Sequence, residues 1–134
     1  MSGIIQLPLY EKLGIENGFQ IKLINEPDNF IDSLNGILEK IHLHKKLLEP
    51  VDLIHLFTRS RKELLVEFPV LKKYVKENGA FWVSWPKKSS AQMSDLDYFA
   101  VREIGLINGL TDVSGCSIDD NWNALKFCLK NEGK

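Results

Sequence analysis

Hydrophobic and polar residues recur with two different periods along the chain, which predicts a mixture of strands and helices. In F-Q-I-K-L-I-N the apolar residues occupy alternate positions, which predicts a half-buried first strand at residues 20–23. Pro27 suits the first turn of a following helix, and Gly36 suits its end. The apolar face of this helix would consist of Phe30, Ile31 and Leu34. The short alternating segment at residues 40–44, with lysines beside it, predicts an exposed edge strand.

Two nearly continuous apolar runs predict the central strands. They are V-D-L-I-H-L-F-T at residues 51–58 and A-F-W-V-S-W-P at residues 80–86, and such runs are typical of parallel strands covered on both faces. The segment between them predicts a helix with a capping box at Ser60 and Glu63. Pro69 is expected to kink or split this helix, and Asn78 with Gly79 to close it. Its buried stripe would consist of Leu64, Phe68, Leu71 and Val75.

The last third of the chain predicts one more helix and a hairpin. Ser94 with Asp97 resembles the helix N-terminus, and Gly109 its end. The inward-facing residues would be Leu96, Ala100, Ile104 and Ile107. Two further strands, T-D-V-S-G-C-S-I and W-N-A-L-K-F-C-L-K, are separated only by residues 119–121. So short a link predicts an antiparallel hairpin, because a parallel return needs a long crossover.

This order of elements predicts an α/β fold, a three-layer Rossmann-like domain. The sheet is expected to be mostly parallel, with about six strands in the order 2-1-3-4-6-5 and a C-terminal antiparallel hairpin. That order has a switch point between the first and third strands, where open α/β sheets bind ligands. The length of 134 residues predicts a single domain over residues 1–134.

Composition and charge exclude several classes of protein. With 44% hydrophobic and 26% charged residues, the chain is neither disordered, fibrous nor coiled-coil. The net charge of −1 argues against nucleic acid as the main partner and against an anionic membrane surface. The first ten residues lack the pattern of a secretory signal, and the apolar runs are far shorter than the roughly 20 residues of a membrane-spanning helix.

The two cysteines give a further expectation about the compartment. Cys116 and Cys128 lie in different predicted strands and no C-x-x-C pair occurs. We therefore expect no disulfide, two small buried hydrophobic residues, and a reducing cytoplasm as the location. A monomer or a weak homodimer is expected.

A basic cluster is the strongest ligand-binding hypothesis from the residues. Arg59 and Arg61 follow the third strand where a helix begins, and Lys87 and Lys88 follow the fourth strand. Parallel neighbouring strands would bring all of them to one carboxyl edge, where helix amides and guanidinium groups favour a phosphate or carboxylate. The alternative is a set of solvated charged loops. The predicted anion-binding residues are Thr58, Arg59, Ser60, Arg61, Trp85, Lys87 and Lys88, and Ser89 and Ser90 could add hydroxyl donors.

The aromatic strand residues have two interpretations. Trp85, at the predicted end of its strand, would either stack on a planar ligand or pack in the core with Phe81 and Val83, which share its face. Trp82 points to the opposite face and is interpreted as a core residue.

The three histidines are not expected to form a metal site. His42 and His44 lie on one face of the edge strand at a spacing that metals use, but nothing nearby completes a ligand set. We interpret both as solvated, and His55 as a hydrogen-bonded histidine of the core.

No catalytic constellation is evident. The chain has no G-x-S-x-G motif, and neither cysteine ends a predicted parallel strand. Glu26 and Asp28 could perform acid–base chemistry beside the first turn. We favour the alternative that they offset the dipole of the predicted helix there.

Four segments carry a resemblance to a protein family. They are G-A-F-W-V-S-W-P-K-K-S-S, T-R-S-R-K-E-L, L-G-I-E-N-G and W-N-A-L-K-F. Together they resemble a bacterial family of small single-domain proteins of unknown function, whose most recognisable feature is a strand ending in W-P-K-K. The similarity extends from about Leu13 to Lys130. It implies a bacterial single-domain protein and no particular activity.

The architecture also resembles a shortened Rossmann-type methyltransferase. Such enzymes hold S-adenosylmethionine with a glycine-rich turn after the first strand and bind its ribose with an acidic residue after the second. Here the first turn reads L-I-N-E-P-D-N-F, which lacks glycine, and Pro27 would obstruct the close approach of the ligand. Glu49 is a weak match for the ribose-binding acid. We therefore expect neither this cofactor nor a metal, and the cofactor is left unassigned.

Three functional hypotheses follow from the sequence. The first is a module that binds a small anion or nucleotide-like ligand without catalysis. The second is a degenerate S-adenosylmethionine-dependent methyltransferase-like enzyme, against which the missing glycines count. The third is a protein-interaction domain, for example a homodimer formed through the hairpin edge or the Trp122 side. The absence of an evident catalytic constellation favours a binding protein over an enzyme.

Overall fold

A computed structural model describes residues 7–129, which form a six-stranded mixed sheet with short and long helices on its faces. The strands are β1 Gln20–Ile24, β2 His42–Leu43, β3 Val51–Phe57, β4 Val75–Pro86, β5 Leu110–Ser117 and β6 Trp122–Leu129. The helices are α1 Leu9–Lys12, α2 Arg61–Leu71 and α3 Tyr98–Ile107, with 3-10 helices at Ile31–Leu34, Leu38–Lys40 and Lys72–Tyr74. The start of the chain, where no secretory signal was expected, and Lys130 lie outside the described residues.

The sheet has the order β2-β1-β3-β4-β6-β5, which confirms the predicted topology. β1 pairs in parallel with β2 and β3, β3 pairs in parallel with β4, and β6 is antiparallel to both β4 and β5. The carboxylate of Asp119 accepts hydrogen bonds from the backbone N–H groups of Asn121 at 2.8 Å and Trp122 at 3.0 Å. This aspartate thereby forms the tight hairpin turn. The chain places β2 on one side of β1 and β3 on its other side, and this reversal in strand order creates the expected switch point between β1 and β3.

The two faces of the sheet carry separate apolar cores. On one face α2 and α3 pack against β4, and Phe68 stacks on Phe81 with ring centroids 4.6 Å apart. On the other face α1 and two 3-10 helices cover the sheet, and the indole N–H of Trp82 donates to the carbonyl of Leu13 at 3.0 Å. Both sides of the sheet are therefore covered, as the continuous apolar runs predicted.

The prediction of an α-helix after Pro27 is wrong, because the chain forms only the 3-10 helix Ile31–Leu34 there. The hydroxyl of Ser33 donates to the carbonyl of Phe30, a local bond that competes with helical pairing. Gly36 then ends the segment with φ at +102°, in the left-handed region. Residues 28–36 are rich in Asp, Asn and Ser, which favour such turns over an α-helix.

The start of α2 is confirmed and its end is corrected. Ser60 caps the helix, since its hydroxyl oxygen accepts the backbone N–H of Glu63 at 3.1 Å. Pro69 lies inside α2, which continues unsplit to Leu71. Asn78 and Gly79 do not close a helix but lie within β4.

The close approach of two strands explains why a glycine occupies position 79. A Cβ added to Gly79 would lie 2.7 Å from the carbonyl oxygen of Asp52, where the β3–β4 register shifts. Gly79 therefore permits the backbones of β3 and β4 to approach, a role that sequence alone confuses with a helix end.

The N-terminus of α3 lies three residues later than predicted. Asp97 is the N-cap and accepts the backbone N–H of Ala100 at 2.8 Å, whereas the hydroxyl of Ser94 donates to the carbonyl of Arg59 at 2.9 Å. Ile107 was expected to face inward but is 70% exposed. The inward stripe instead consists of Ala100, Val101, Ile104 and Gly105. The residue that continues it is Asn108, not Ile107.

The register of β5 and β6 keeps the cysteines apart. Cys116 faces Ala124 and Cys128 faces Thr111, and both thiols are free. Both are half-buried, so the expectation of two buried residues is wrong; Cys116 lies on β5, which is an edge strand of the sheet. Burial raises the pKa of the Cys116 thiol, an effect that Lys12 partly offsets. Within residues 7–129, no helix has the length and hydrophobicity needed to cross a membrane.

Candidate functional site

A cleft of about 560 Å³ opens at the carboxyl ends of β1 and β3, at the switch point of the sheet. We call it the switch-point cleft. The turn after β1, the segment after β3, the first turn of α2 and the β5–β6 hairpin all contribute to it. Its lining consists of Asn25, Pro27, Asp28, Asn29, Phe57, Thr58, Arg59, Glu63, Gln92, Asp119, Asn121 and Trp122. The cleft therefore lies where ligands of open α/β sheets bind.

Asn25 gives the turn after β1 an unusual backbone conformation. Its φ is +61°, the only positive value at a described residue other than glycine. Asparagine is one of the few residues that adopt this left-handed region at low cost. The backbone therefore turns immediately after β1 as it would at a glycine, which the sequence analysis did not anticipate.

The charges around the switch-point cleft are mainly negative. Asp28, Glu63 and Asp119 line it, opposed by the single guanidinium group of Arg59. All three carboxylates are exposed; Glu63 accepts a hydrogen bond from the hydroxyl of Thr58, and Asp119 holds the hairpin turn. Such a lining favours a cationic or zwitterionic ligand over a simple anion.

The structure separates the residues of the predicted anion site. Thr58 and Arg59 line the switch-point cleft, and Ser60 caps α2. Arg61 lies outside it, with its guanidinium Nη2 at 3.4 Å from the carboxylate of Glu103 on α3. Lys87 donates to the hydroxyl of Ser117 at 2.6 Å, and Lys88 is exposed in the following loop. The cleft therefore contains one of the four predicted cations.

The aromatic residue at the cleft is not the tryptophan that the sequence suggested. Trp85 is only 5% exposed and packs with Phe81 and Val83 beneath α2 and α3, so its core interpretation is correct. Trp122 lines the cleft instead, with its ring edge-on to Phe57 at 5.2 Å between centroids. In the sequence, the one indication that Trp122 could line the cleft is its position directly after the hairpin turn.

His55 lies inside the sheet on the face that Trp122 shares. It is fully buried, as predicted for a core histidine, and its Nε2 lies 2.7 Å from the hydroxyl oxygen of Ser84. Among the described residues its Nδ1 has no hydrogen-bond partner. Burial lowers the pKa of His55 to about 3, so the ring is neutral at physiological pH.

Glu26 and Asp28 do not offset a helix dipole, because no α-helix follows them. Asp28 lines the switch-point cleft, whereas Glu26 lines a separate pocket between the ends of β1 and β2. Glu26 and Asp28 therefore line two different cavities and do not form a pair for acid–base chemistry.

The histidines of the edge strand lie together at β2. The rings of His42 and His44 are 4.6 Å apart between centroids, and His44 Nε2 hydrogen-bonds the side chain of Gln20. Over residues 7–129, His, Cys, Asp and Glu side chains form no group of three or more that could hold a metal ion.

Several solved methyltransferases have a similar fold. A SAM dependent methyltransferase from Aquifex aeolicus matches with a TM-score of 0.61 and 12% identity, covering 89% of this chain and 86% of that chain. Magnesium protoporphyrin IX methyltransferase from Synechocystis PCC 6803, with bound SAH, matches with a TM-score of 0.61 and 9% identity over 90% of this chain and 78% of that chain. The ribosomal protein L11 methylase from Lactobacillus delbrueckii subsp. bulgaricus matches with a TM-score of 0.54 and 15% identity, covering 92% and 76%. Identities this low establish the fold alone, so the chain has the Rossmann-like architecture of these enzymes.

No family model and no curated protein match this chain. The resemblance to a bacterial family of unknown function therefore has no support from these comparisons and stays a prediction.

Proposed function

We propose that this chain is a methyltransferase-like protein that binds S-adenosylmethionine, or its demethylated product, in the switch-point cleft. The observation that carries the proposal is the left-handed turn at Asn25, which follows β1 in a fold similar to that of solved methyltransferases. The likeness to these enzymes ranks this hypothesis above the anion-binding module that the basic residues favoured. Of that predicted anion site, the proposal retains Thr58 and Arg59 as ligand contacts.

The charges of the cleft fit the methionine half of this ligand. Its sulfonium and ammonium groups are cationic, and Asp28 and Glu63 supply carboxylates to the cleft. Its carboxylate is anionic, and the guanidinium group of Arg59 is the matching partner. The indole of Trp122 and the ring of Phe57 offer apolar and cation–π contact.

The adenosine half fits less well. An acidic residue after β2 would bind the ribose hydroxyls, but the residues there are His44, Lys45 and Lys46. Glu49 is exposed and does not line the switch-point cleft. Pro27 follows the turn without any glycine. We therefore expect weaker binding than a complete cofactor site would give.

The residues of the cleft support binding more clearly than catalysis. When bound, S-adenosylmethionine supplies an electrophilic methyl group to a nucleophile on a substrate. All three carboxylates of the cleft are exposed, but Glu63 and Asp119 accept hydrogen bonds within the protein, so we assign Asp28 as the group that accepts a proton there. Arg59 would orient the ligand, and Thr58 would hold the carboxylate of Glu63 in place.

Other expectations remain part of the proposal. We take the chain to be a single cytoplasmic domain of bacterial origin, a monomer or weak homodimer. The two free cysteines are consistent with a reducing compartment.

Calorimetric titration with S-adenosylmethionine and S-adenosylhomocysteine tests the proposal. The unsubstituted protein should bind at least one of them saturably, and Arg59→Met should weaken binding by about tenfold, the loss of one charge-assisted hydrogen bond. Arg61→Met is the matched control, because Arg61 lies outside the cleft beside Glu103. The absence of binding to both compounds at millimolar concentration would refute the proposal.

A further inference from the structure

A second pocket, of about 640 Å³, lies between the carboxyl ends of β1 and β2. We call it the β2-end pocket. Its charged and titratable lining residues are Lys22, His44, Lys45 and Glu26, and apolar residues of β1, β2 and the 3-10 helix complete it. Basic side chains therefore outnumber acidic ones in this pocket, whereas acidic side chains outnumber basic ones in the switch-point cleft.

Hydrogen bonds hold the basic residues at this pocket. The ammonium group of Lys22 donates to the backbone carbonyl of Lys45 at 2.6 Å, which ties β1 to the segment after β2. The backbone N–H of His44 donates to the carbonyl of Ile21 at 2.8 Å, which continues the β1–β2 pairing beyond β2. The imidazole of His44 is oriented by the side chain of Gln20. The three basic groups are thus brought together by the pairing of two strands.

The position of the β2-end pocket in the fold also favours an anionic ligand. The pocket lies at the carboxyl edge of a parallel strand pair, and Asn25 lines both it and the switch-point cleft. At this edge of a Rossmann-like sheet, an acid after the second strand suits a free ribose hydroxyl, whereas a basic residue there suits a phosphate. Basic residues stand at the end of β2 in this chain.

We propose that the β2-end pocket binds the phosphate group of a phosphomonoester through Lys22, His44 and Lys45. The ammonium groups donate charge-assisted hydrogen bonds to the phosphate oxygens, and the imidazole of His44 adds a further polar contact. The apolar residues of the pocket contact the organic part of the ligand. Its phosphate contacts differ from the residues assigned to the methionine half of S-adenosylmethionine, and Asn25 is the residue that lines both cavities.

An amide-resolved NMR titration tests this site. The probes are inorganic phosphate, adenosine monophosphate and, as the uncharged reference, adenosine. The variants are Lys22→Met with Lys45→Met, and the matched control Lys62→Met with Lys73→Met, whose lysines are exposed on and after α2. The amide spectrum also shows directly that each variant is folded.

The expected result is saturable shifts at Lys22, His44 and Lys45 with both phosphate-containing probes and none with adenosine. The Lys22/Lys45 variant should bind at least about tenfold more weakly, and the control variant should bind as the unsubstituted protein does. Tighter binding of adenosine monophosphate than of phosphate would identify a nucleotide as the ligand, and equal binding a smaller phosphate compound.

Two results would overturn the inference. One is the absence of saturable shifts with either phosphate probe. The other is equal binding by the Lys22/Lys45 variant and the control, which would show diffuse attraction to surface lysines. A titration with S-adenosylhomocysteine on the same samples separates the two proposals, since each ligand has its own set of responding residues.

Discussion

His55 and Ser84 form a fully buried hydrogen-bonded pair between the neighbouring strands β3 and β4, with Nε2 and Oγ 2.7 Å apart. Phe57 stacks on the imidazole with ring centroids 4.3 Å apart, and Phe30 meets it edge-on at 5.2 Å. The ring therefore has apolar neighbours and no described charged partner. This surrounding makes protonation of His55 costly in the folded protein.

The pair predicts that stability falls as the pH falls. Burial lowers the pKa of His55 from 6.5 to about 3, so between these values the unfolded chain binds a proton that the folded chain does not. The free energy of unfolding should therefore decrease as pH falls from about 6.5 towards 3, by a few kcal/mol. Urea unfolding of His55→Leu with Ser84→Ala should show a shallower pH dependence than the unsubstituted protein. His42→Leu, at an exposed histidine, should keep the original dependence, and equal slopes in all three proteins would contradict this account.

Gly105 on α3 packs directly against Phe127 on β6. A Cβ at position 105 would lie 2.0 Å from the phenyl Cε1, so alanine overpacks the core. Alanine would otherwise stabilise a helix interior by about 1 kcal/mol over glycine. We expect the overlap to prevail, with Gly105→Ala destabilising the fold by about 1–3 kcal/mol in denaturant unfolding. Ile107→Ala, at an exposed site of the same helix, is the control, and a stabilising Gly105→Ala would refute the packing described here.

Ser60 caps the N-terminus of α2, whose first turn contains the cleft residue Glu63. Ser60→Ala removes the acceptor of the Glu63 backbone N–H and should cost about 1 kcal/mol of unfolding free energy. Ser89→Ala, in the exposed loop after β4, should change stability by less than about 0.5 kcal/mol. Thermal unfolding of the two variants measures both values, and equal values would mean that the cap contributes nothing.

The turn at Asn25 predicts opposite effects of two substitutions. Asn25→Gly keeps the left-handed conformation accessible and should preserve stability, whereas the β-branched side chain of Asn25→Val should cost about 1–2 kcal/mol. Urea unfolding measures this difference. If valine and glycine behave alike, the turn does not adopt the described conformation.

The sheet was predictable because its signals are strong and local. Continuous apolar runs marked β3 and β4 as central, and the short link at Asp119 required the final antiparallel hairpin. The errors arose where one residue type serves two structures. Gly79 resembles a helix end but permits the close approach of β3 and β4, and Ser33 interrupts the predicted first helix by bonding to a nearby carbonyl.

The site was less predictable than the sheet. The sequence predicts four cations at one edge of the sheet, namely Arg59, Arg61, Lys87 and Lys88. Whether each lines the cleft depends on where its side chain points, which the sequence does not show. Arg61 turns towards α3 and Lys87 towards β5, so only Arg59 lines the switch-point cleft. Of the basic residues of the β2-end pocket, Lys22 lies on β1 and His44 and Lys45 follow β2, so their convergence depends on the parallel β1–β2 register.

The central claim is that the switch-point cleft binds a ligand of the S-adenosylmethionine type. An amide-resolved NMR titration with S-adenosylhomocysteine tests it most directly. We expect saturable shifts at residues 25–29, at Phe57, Thr58, Arg59 and Glu63, and at residues 119–122. Shifts that are absent, or that map to the outer faces of α2 and α3, would contradict it.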